Sequence, residues 1–203
     1  MSRLKLTLPY VPALVRFRLR GHQRAWHIFT HMTPLERILL YHLGLKHRPG
    51  ATLVEIGSYL GASTCFLAAA AREIGGGAMV HCVDTWKNHG MSEGMRDTWE
   101  EFQQNTRYYR SFLTPHRGDS VRIARQFTTP IDLLFIDGDH AYDSCHADVQ
   151  SWVPLLKPGG MLIMHDYAWA EGVRRVVQED IVPLSCHQGR SMQNIYWIRM
   201  EKS

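Results

Sequence analysis

The chain has 203 residues, 45% hydrophobic and 21% charged, with a formal net charge of +4; this predicts one soluble globular domain with a substantial core. No apolar run approaches the ~20 residues that a bilayer span needs, and no signal-peptide pattern opens the chain. Cys65, Cys82, Cys145 and Cys186 are widely spaced, with no CxxC, which argues against a disulfide scaffold and a structural zinc site and suits the cytoplasm.

The basicity is local. Arg3, Lys5, Arg16, Arg18, Arg20 and Arg24 precede any acid, and without them 17 Lys and Arg face 19 Asp and Glu. Residues 1–32 read as an N-terminal basic arm. Val15 to Arg20 alternates with period two, as a half-buried strand would, although a short basic helix after Pro12 suits the same residues. Packing on the domain or on a partner subunit is the favoured reading of the arm, the second of which would make a homo-oligomer; the oligomeric state is left open. Contact of residues 1–24 with an anionic membrane surface, or with an acidic substrate, is the less favoured one. No recognisable nucleic-acid reading motif accompanies the arginines, so no nucleic acid is expected.

The main domain is assigned to residues 33–203. Thr33-Pro34-Leu35-Glu36 is a capping box with proline at the first helical position, and Gly44 stops that helix. "ATLVEIG" then predicts a strand, "ASTCFLAAAAREI" a helix and "AMVHCVD" a second strand. Residues 86–100 are polar, aromatic and methionine-containing, and suit either a lid, with His89, Met91 and Met95, or an exposed loop. A helix ending near Tyr109 leads to a weak strand, "FLTPHRGD", and a short helix, "SVRIARQF". "IDLLFID" is the fourth strand. Cys145, Val149, Trp152, Val153 and Leu156 recur at helical spacing, and "KPGG" turns the chain into the strand "MLIMHD". The helix "AEGVRRVVQEDIV" and a terminal strand, "NIYWIRME", complete the pattern. Such alternation predicts an α/β fold: a Rossmann-like, doubly wound, mostly parallel sheet with helices on both faces.

Ligands of such sheets bind at the carboxyl ends of the strands. Here the ends carry Glu55-Ile56-Gly57, Asp84, Asp119, Asp137 and His165-Asp166. The first turn is not the GxGxxG of dinucleotide enzymes. Gly57 and Gly61 let the backbone approach a ligand, Glu55 can fix a cationic or donor group, and Asp84 can accept both hydroxyls of a ribose. A positively charged nucleoside without phosphate suits these parts.

ExGxxxGxS, an acid ending the second strand, the Gly-Asp-Ser turn after the third and "LKPGG" before the fifth resemble the class I S-adenosylmethionine-dependent methyltransferases over roughly residues 33–200. The resemblance implies that Gly57, Ser58, Gly61 and Ser63 line the methionine and sugar of S-adenosylmethionine, with Asp84 on the ribose. Asp119 and Ser120 would lie near the adenine, and Trp86 would cover the ring or the acceptor. "FIDGDHAYD" with the later "HD" narrows the likeness to small-molecule O-methyltransferases of the macrocin and cephalosporin-tailoring type, and more distantly to catechol and caffeoyl-CoA methyltransferases. It implies a divalent metal, magnesium, manganese or another, on Asp137, His165 and Asp166. The acceptor would be a small-molecule hydroxyl, on a sugar, polyketide, phenol or other tailored metabolite.

His165 stands where the familiar pattern has a carboxylate, which weakens magnesium and admits manganese, iron or zinc. Metal-free O- or N-methyl transfer with His165 or His140 as general base is the alternative. Two further readings are a non-catalytic S-adenosylmethionine-binding protein and an iron oxygenase on Asp137, His140 and His165; the latter leaves Glu55 to Ser63 unexplained. Asp143 is read as the cap of the following helix, and Asp139 as a turn residue or outer support of the metal. Tyr142, Tyr167 and Trp169 are candidate acceptor walls.

Overall fold

The computed structural model describes residues 8–87 and 94–201. Arg3 and Lys5 of the arm, and His89 and Met91 of the suggested lid, lie outside them.

The arm forms a helix, α1 (Val11–Leu19), with Pro12 in its first turn, so the helical reading of Val15 to Arg20 holds and the strand reading does not. Only Ala13 and Phe17, four residues apart, are buried on it. Phe17 stacks on Phe66 at 4.5 Å and meets Tyr41 edge-on at 5.0 Å. Beside this stack, Glu73 accepts hydrogen bonds from Arg16 Nε at 2.7 Å and from the Tyr41 hydroxyl, with His22 Nε2 3.1 Å away. An arm that appears as surplus charge in the sequence thus meets an internal acid of the domain.

Helix α2 (Pro34–Gly44) starts with the predicted capping box: Thr33 Oγ1 accepts the Glu36 N–H, and Glu36 Oε2 accepts the Thr33 N–H at 2.7 Å. Then follow β1 (Thr52–Ile56), α3 (Ala62–Ile74), β2 (Met79–Asp84), α4 (Trp99–Thr106), β3 (Leu113–Arg117), α5 (Ser120–Ala124) and β4 (Ile131–Ile136). The chain ends with α6 (Tyr142–Trp152), β5 (Leu156–Met164), α7 (Glu171–Val176), β6 (Arg190–Met192) and β7 (Ile195–Arg199). The sheet order is β3-β2-β1-β4-β5-β7-β6. β1 to β5 pair in parallel, and β7 runs antiparallel to β5 and β6.

Strand alternation sorts the core onto two faces. Leu53, Leu133, Phe135 and Ile163 meet α2 and α3, while Val54, Leu134, Ile136 and Leu162 meet α6 and α7. Every residue from Ala62 to Ala71 is buried, because α3 lies between the sheet and α2. Small side chains permit this: a Cβ on Gly44 would come within 2.6 Å of Ala70 Cβ.

The predicted last helix is shorter than its apolar pattern. It runs as α7 to Val176, widens into a π turn over Val177–Ile181, and ends where Pro183 removes a donor. β6 was not expected, since Arg190-Ser191-Met192 has no strand signal of its own and pairs only through the hairpin with β7. No helix among the described residues is long and apolar enough to cross a membrane.

Candidate active site

β1 and β4 are neighbours whose following connections depart to opposite edges of the sheet, and such switch points leave a crevice at the strand ends. Here the crevice is a cleft of about 1110 Å³ bordered by Gly57, Asp84, Asp119, Asp137, His140 and His165 among others.

Its first half is a backbone cradle. Gly57, at φ +86°, donates its N–H to Val83 O at 2.9 Å. Asp84 accepts the backbone N–H of Tyr59 at 2.7 Å and of Trp86 at 2.6 Å, so one carboxylate ties the β1 loop to the end of β2. Burial pushes the Asp84 carboxyl up, and backbone N–H donors, the Trp86 N–H foremost, oppose that shift. Ser58 and Ser63 border the cleft with them.

Three predicted cofactor residues lie elsewhere. Gly61 begins α3 at φ +86° against Thr106 and Phe102 and does not border the cleft; it permits helix packing. Trp86 is fully buried, donates its indole N–H to Tyr59 O at 3.0 Å and packs 4.6 Å from both Trp99 and Phe102. It therefore supports the loop from behind and covers no ligand. Glu55 is fully buried beneath the loop, accepting the Thr64 hydroxyl, and burial pushes its carboxyl up to about 7.

That burial gives the fold a pH dependence. The unfolded carboxyl titrates near roughly 4.3, so between that value and about 7 the folded chain binds more protons. The contribution is fully present below the unfolded value and is lost as pH rises through about 7, on the order of 3 kcal/mol. Asp137, Cys65 and Cys82 share this buried neighbourhood. In urea titrations between pH 4.5 and 8, Glu55→Gln should therefore show a flatter stability profile than the wild type. Parallel profiles would remove Glu55 as the cause.

At the far end of the cleft, Asp119 accepts the Arg122 N–H at 2.9 Å and caps α5. Ser120 donates its hydroxyl to Asp148, a residue absent from the sequence-based set. Asp148 lies on α6, borders the cleft, and is pushed up to about 6 by burial. Its signal was a lone carboxylate between Cys145 and Val149, on the edge of the buried stripe.

The second half joins the ends of the paired strands β4 and β5. His165 Nδ1 is 2.9 Å from Asp137 Oδ1 and 3.0 Å from Asp166 Oδ1. Neither contact has the alignment of a hydrogen bond, and both ring nitrogens are buried without one. Burial disfavours the imidazolium, but the surrounding carboxylates outweigh it and push His165 up to about 12. Asp137 is raised, chiefly by burial, against the pull of His165. Asp166 takes the left-handed conformation at φ +59°, a strained backbone that persists only where its surroundings fix it. It accepts the Trp169 indole N–H at 2.8 Å and lies 3.1 Å from His140 Nε2. Asp137, His165 and Asp166 offer ligand atoms that all lie within 4.8 Å of one another. Two carboxylates beside an unsatisfied buried imidazole suit a divalent cation.

The neighbouring assignments divide. Trp169 and His140 both border the cleft, with ring centroids 4.9 Å apart. Tyr142 instead donates to Glu179 at 3.0 Å under Arg175, and Tyr167 packs on Tyr196, so neither is an acceptor wall. α6 starts at Tyr142, which places Asp143 inside its first turn. No side chain caps the α6 N-terminus; Asp139, two residues before the N-cap Ala141, shapes the turn by accepting the Ala141 N–H and the Ser144 hydroxyl. The arm supplies a wall that the sequence did not reveal, Phe29 to Met32, joined by Asn194 from the β6–β7 turn.

A family model described as a methyltransferase domain matches residues 54–167. The uncharacterized protein y4gI of Sinorhizobium fredii is 31% identical over 129 residues, covering 56% of this chain; the match spans 13% of that protein's length. Among solved structures, the O-methyltransferase TomG of Streptomyces achromogenes, involved in tomaymycin synthesis and bound to S-adenosylmethionine, superposes with a TM-score of 0.66. The identity is 17%, over 100% of this chain and 92% of that one. An O-methyltransferase of Bacillus cereus in complex with S-adenosylhomocysteine gives 0.65 at 16%, over 98% and 92%. At such identities the structural likeness is one of fold.

Proposed function

The chain belongs to the methyltransferase domain family, and on that premise we propose that it transfers the methyl group of S-adenosylmethionine to a hydroxyl of a small molecule, assisted by a divalent metal. The observation that carries this reading is the convergence of Asp137, His165 and Asp166 beside the Gly57–Asp84 cradle, in one cleft.

In this reading Gly57, Ser58 and Ser63 receive the methionine and sugar portion, Asp84 the ribose, and Ser120 with Asp148 the base. Asp137, His165 and Asp166 hold the metal, which lowers the pKa of a coordinated hydroxyl when bound. Trp169 and the Phe29–Met32 segment border the acceptor side, and positioning of an acceptor between them can supply much of a rate enhancement. His165, kept cationic by its surrounding carboxylates and a residue that would hold the metal, is poorly suited to accept the acceptor's proton. His140 borders the cleft and is 42% exposed in its side chain, which favours it as the base. Four free cysteines suit a reducing cytoplasm.

Calorimetry with S-adenosylhomocysteine, with and without Mn²⁺, tests the reading. Binding should be retained after chelation, whereas turnover should be lost with chelator and restored by the cation. Failure to bind S-adenosylhomocysteine would sink the methyltransferase reading; turnover that survives chelation would shift the chemistry to His140 alone.

A further inference from the structure

Glu36 enters the sequence as the third residue of a capping box, a role that an exposed side chain fills equally well. In the fold it is fully buried. Oε2 accepts the Thr33 N–H at 2.7 Å and Oε1 accepts the Asn194 N–H at 2.9 Å. These bonds fix the carboxylate between the start of α2 and the β6–β7 turn, at the positive end of the helix dipole. Its Oε2 lies 3.8 Å from His165 Nε2, beyond hydrogen-bond length.

The opposite side of that ring is the metal-facing side. Nδ1 lies 2.9 Å from Asp137 Oδ1 and 3.0 Å from Asp166 Oδ1, and both it and Nε2 are buried with no aligned partner. Asn194 also anchors the chain beyond Asp166, since its carbonyl accepts the Tyr167 N–H at 3.0 Å. One buried acid thus connects the helix start, the turn and the residues flanking the candidate ligands.

We propose that Glu36 is a positioning residue: its fixed, buried carboxylate faces the Nε2 edge of His165 across 3.8 Å and, as a charge, orients the ring so that Nδ1 serves as the metal ligand. The proposal rests on the metal reading above. A ligating histidine whose other ring nitrogen faces a fixed carboxylate gains basicity and a set orientation, and losing such a partner typically costs about 10–100-fold in metal affinity.

Glu36→Gln removes the charge and keeps one acceptor oxygen, which can retain the Thr33 N–H of the capping box, while the Asn194 N–H then faces the amide NH2 and loses its acceptor. Mn²⁺ binding to the full chain is read by electron paramagnetic resonance. The His165 Nε2–H proton is followed by NMR in the metal-free protein, with thermal melting and S-adenosylhomocysteine affinity as checks on the fold. The expected result is a drop in Mn²⁺ affinity of about 10–100-fold, an upfield move of the His165 proton, and retained S-adenosylhomocysteine binding. Unchanged Mn²⁺ affinity and an unmoved proton in the variant would overturn the proposal. Absence of Mn²⁺ binding by the wild type would instead overturn the metal reading on which it rests.

Discussion

Gly57→Ala should cost about 2–5 kcal/mol of stability and weaken both halves of the cleft together. Roughly 1–2 kcal/mol comes from placing an L side chain in the left-handed region, and about 1–3 kcal/mol from overpacking. Gly57 sits at φ +86°, and an added Cβ would lie 2.0 Å from Asp137 O and 2.6 Å from its carbonyl carbon. This is backbone against side-chain stem, so no rotamer relieves it. The surrounding strands have little freedom to separate: the Gly57 N–H bonds to Val83 O, and the Asp137 N–H bonds to Ile56 O at 2.8 Å. Any movement that admits the methyl therefore shifts the β1 loop and the Asp137 backbone at once. S-adenosylhomocysteine affinity by calorimetry and Mn²⁺ affinity should both fall, along with the urea midpoint. Gly61→Ala is the informative contrast. Its Cβ would meet side chains of α4, at 2.4 Å from Thr106 Cγ2, and that short helix can shift, so cofactor affinity should suffer less. Equal, small losses in the two variants would contradict the coupling.

The strand ends were legible in the sequence because each is a polar residue that stops an apolar run. Asp84, Asp137 and the His165-Asp166 pair required only that the alternation be followed. The turn signals served likewise, and the Thr33 capping box appears as written. Side-chain direction was not legible. Trp86 lies two residues after a strand-end acid, yet its positive φ of +51° turns the indole into the core. Tyr142 lies two residues after His140 but begins a helix, which points it toward α7. Asp148 and Glu36 were hidden for a different reason. Each has an ordinary local explanation, a helix surface acid and a cap; Asp148 is tied to the cleft through a partner 28 residues away, and Glu36 is fixed behind His165 through one 158 residues away.

Phe17→Ala should lower stability by about 3–5 kcal/mol, the range for removing a fully buried aromatic ring, although Phe17 belongs to a segment that composition alone presents as a basic tail. The ring is stacked on Phe66 and edged by Tyr41, Trp26 and His22, so its removal leaves a cavity among large groups that cannot collapse inward. The consequence for function follows from chain order. α1 leads through the turn Gln23–His27 to Phe29, Thr30, His31 and Met32, which border the cleft on the acceptor side. The Gly57–Asp84 cradle is held by β1, β2 and β4 and, among the described residues, has no backbone bond to the arm. Loosening α1 should therefore expose residues 1–32 to limited proteolysis before S-adenosylhomocysteine affinity declines. If the arm were a passive tail, neither melting nor proteolysis would change. If it folded only with the whole domain, cofactor affinity would fall in step with cleavage. The expected separation makes the basic arm a wall of the cleft, kept in place by the Phe17 stack and by Glu73, whose carboxylate takes up Arg16 and the Tyr41 hydroxyl.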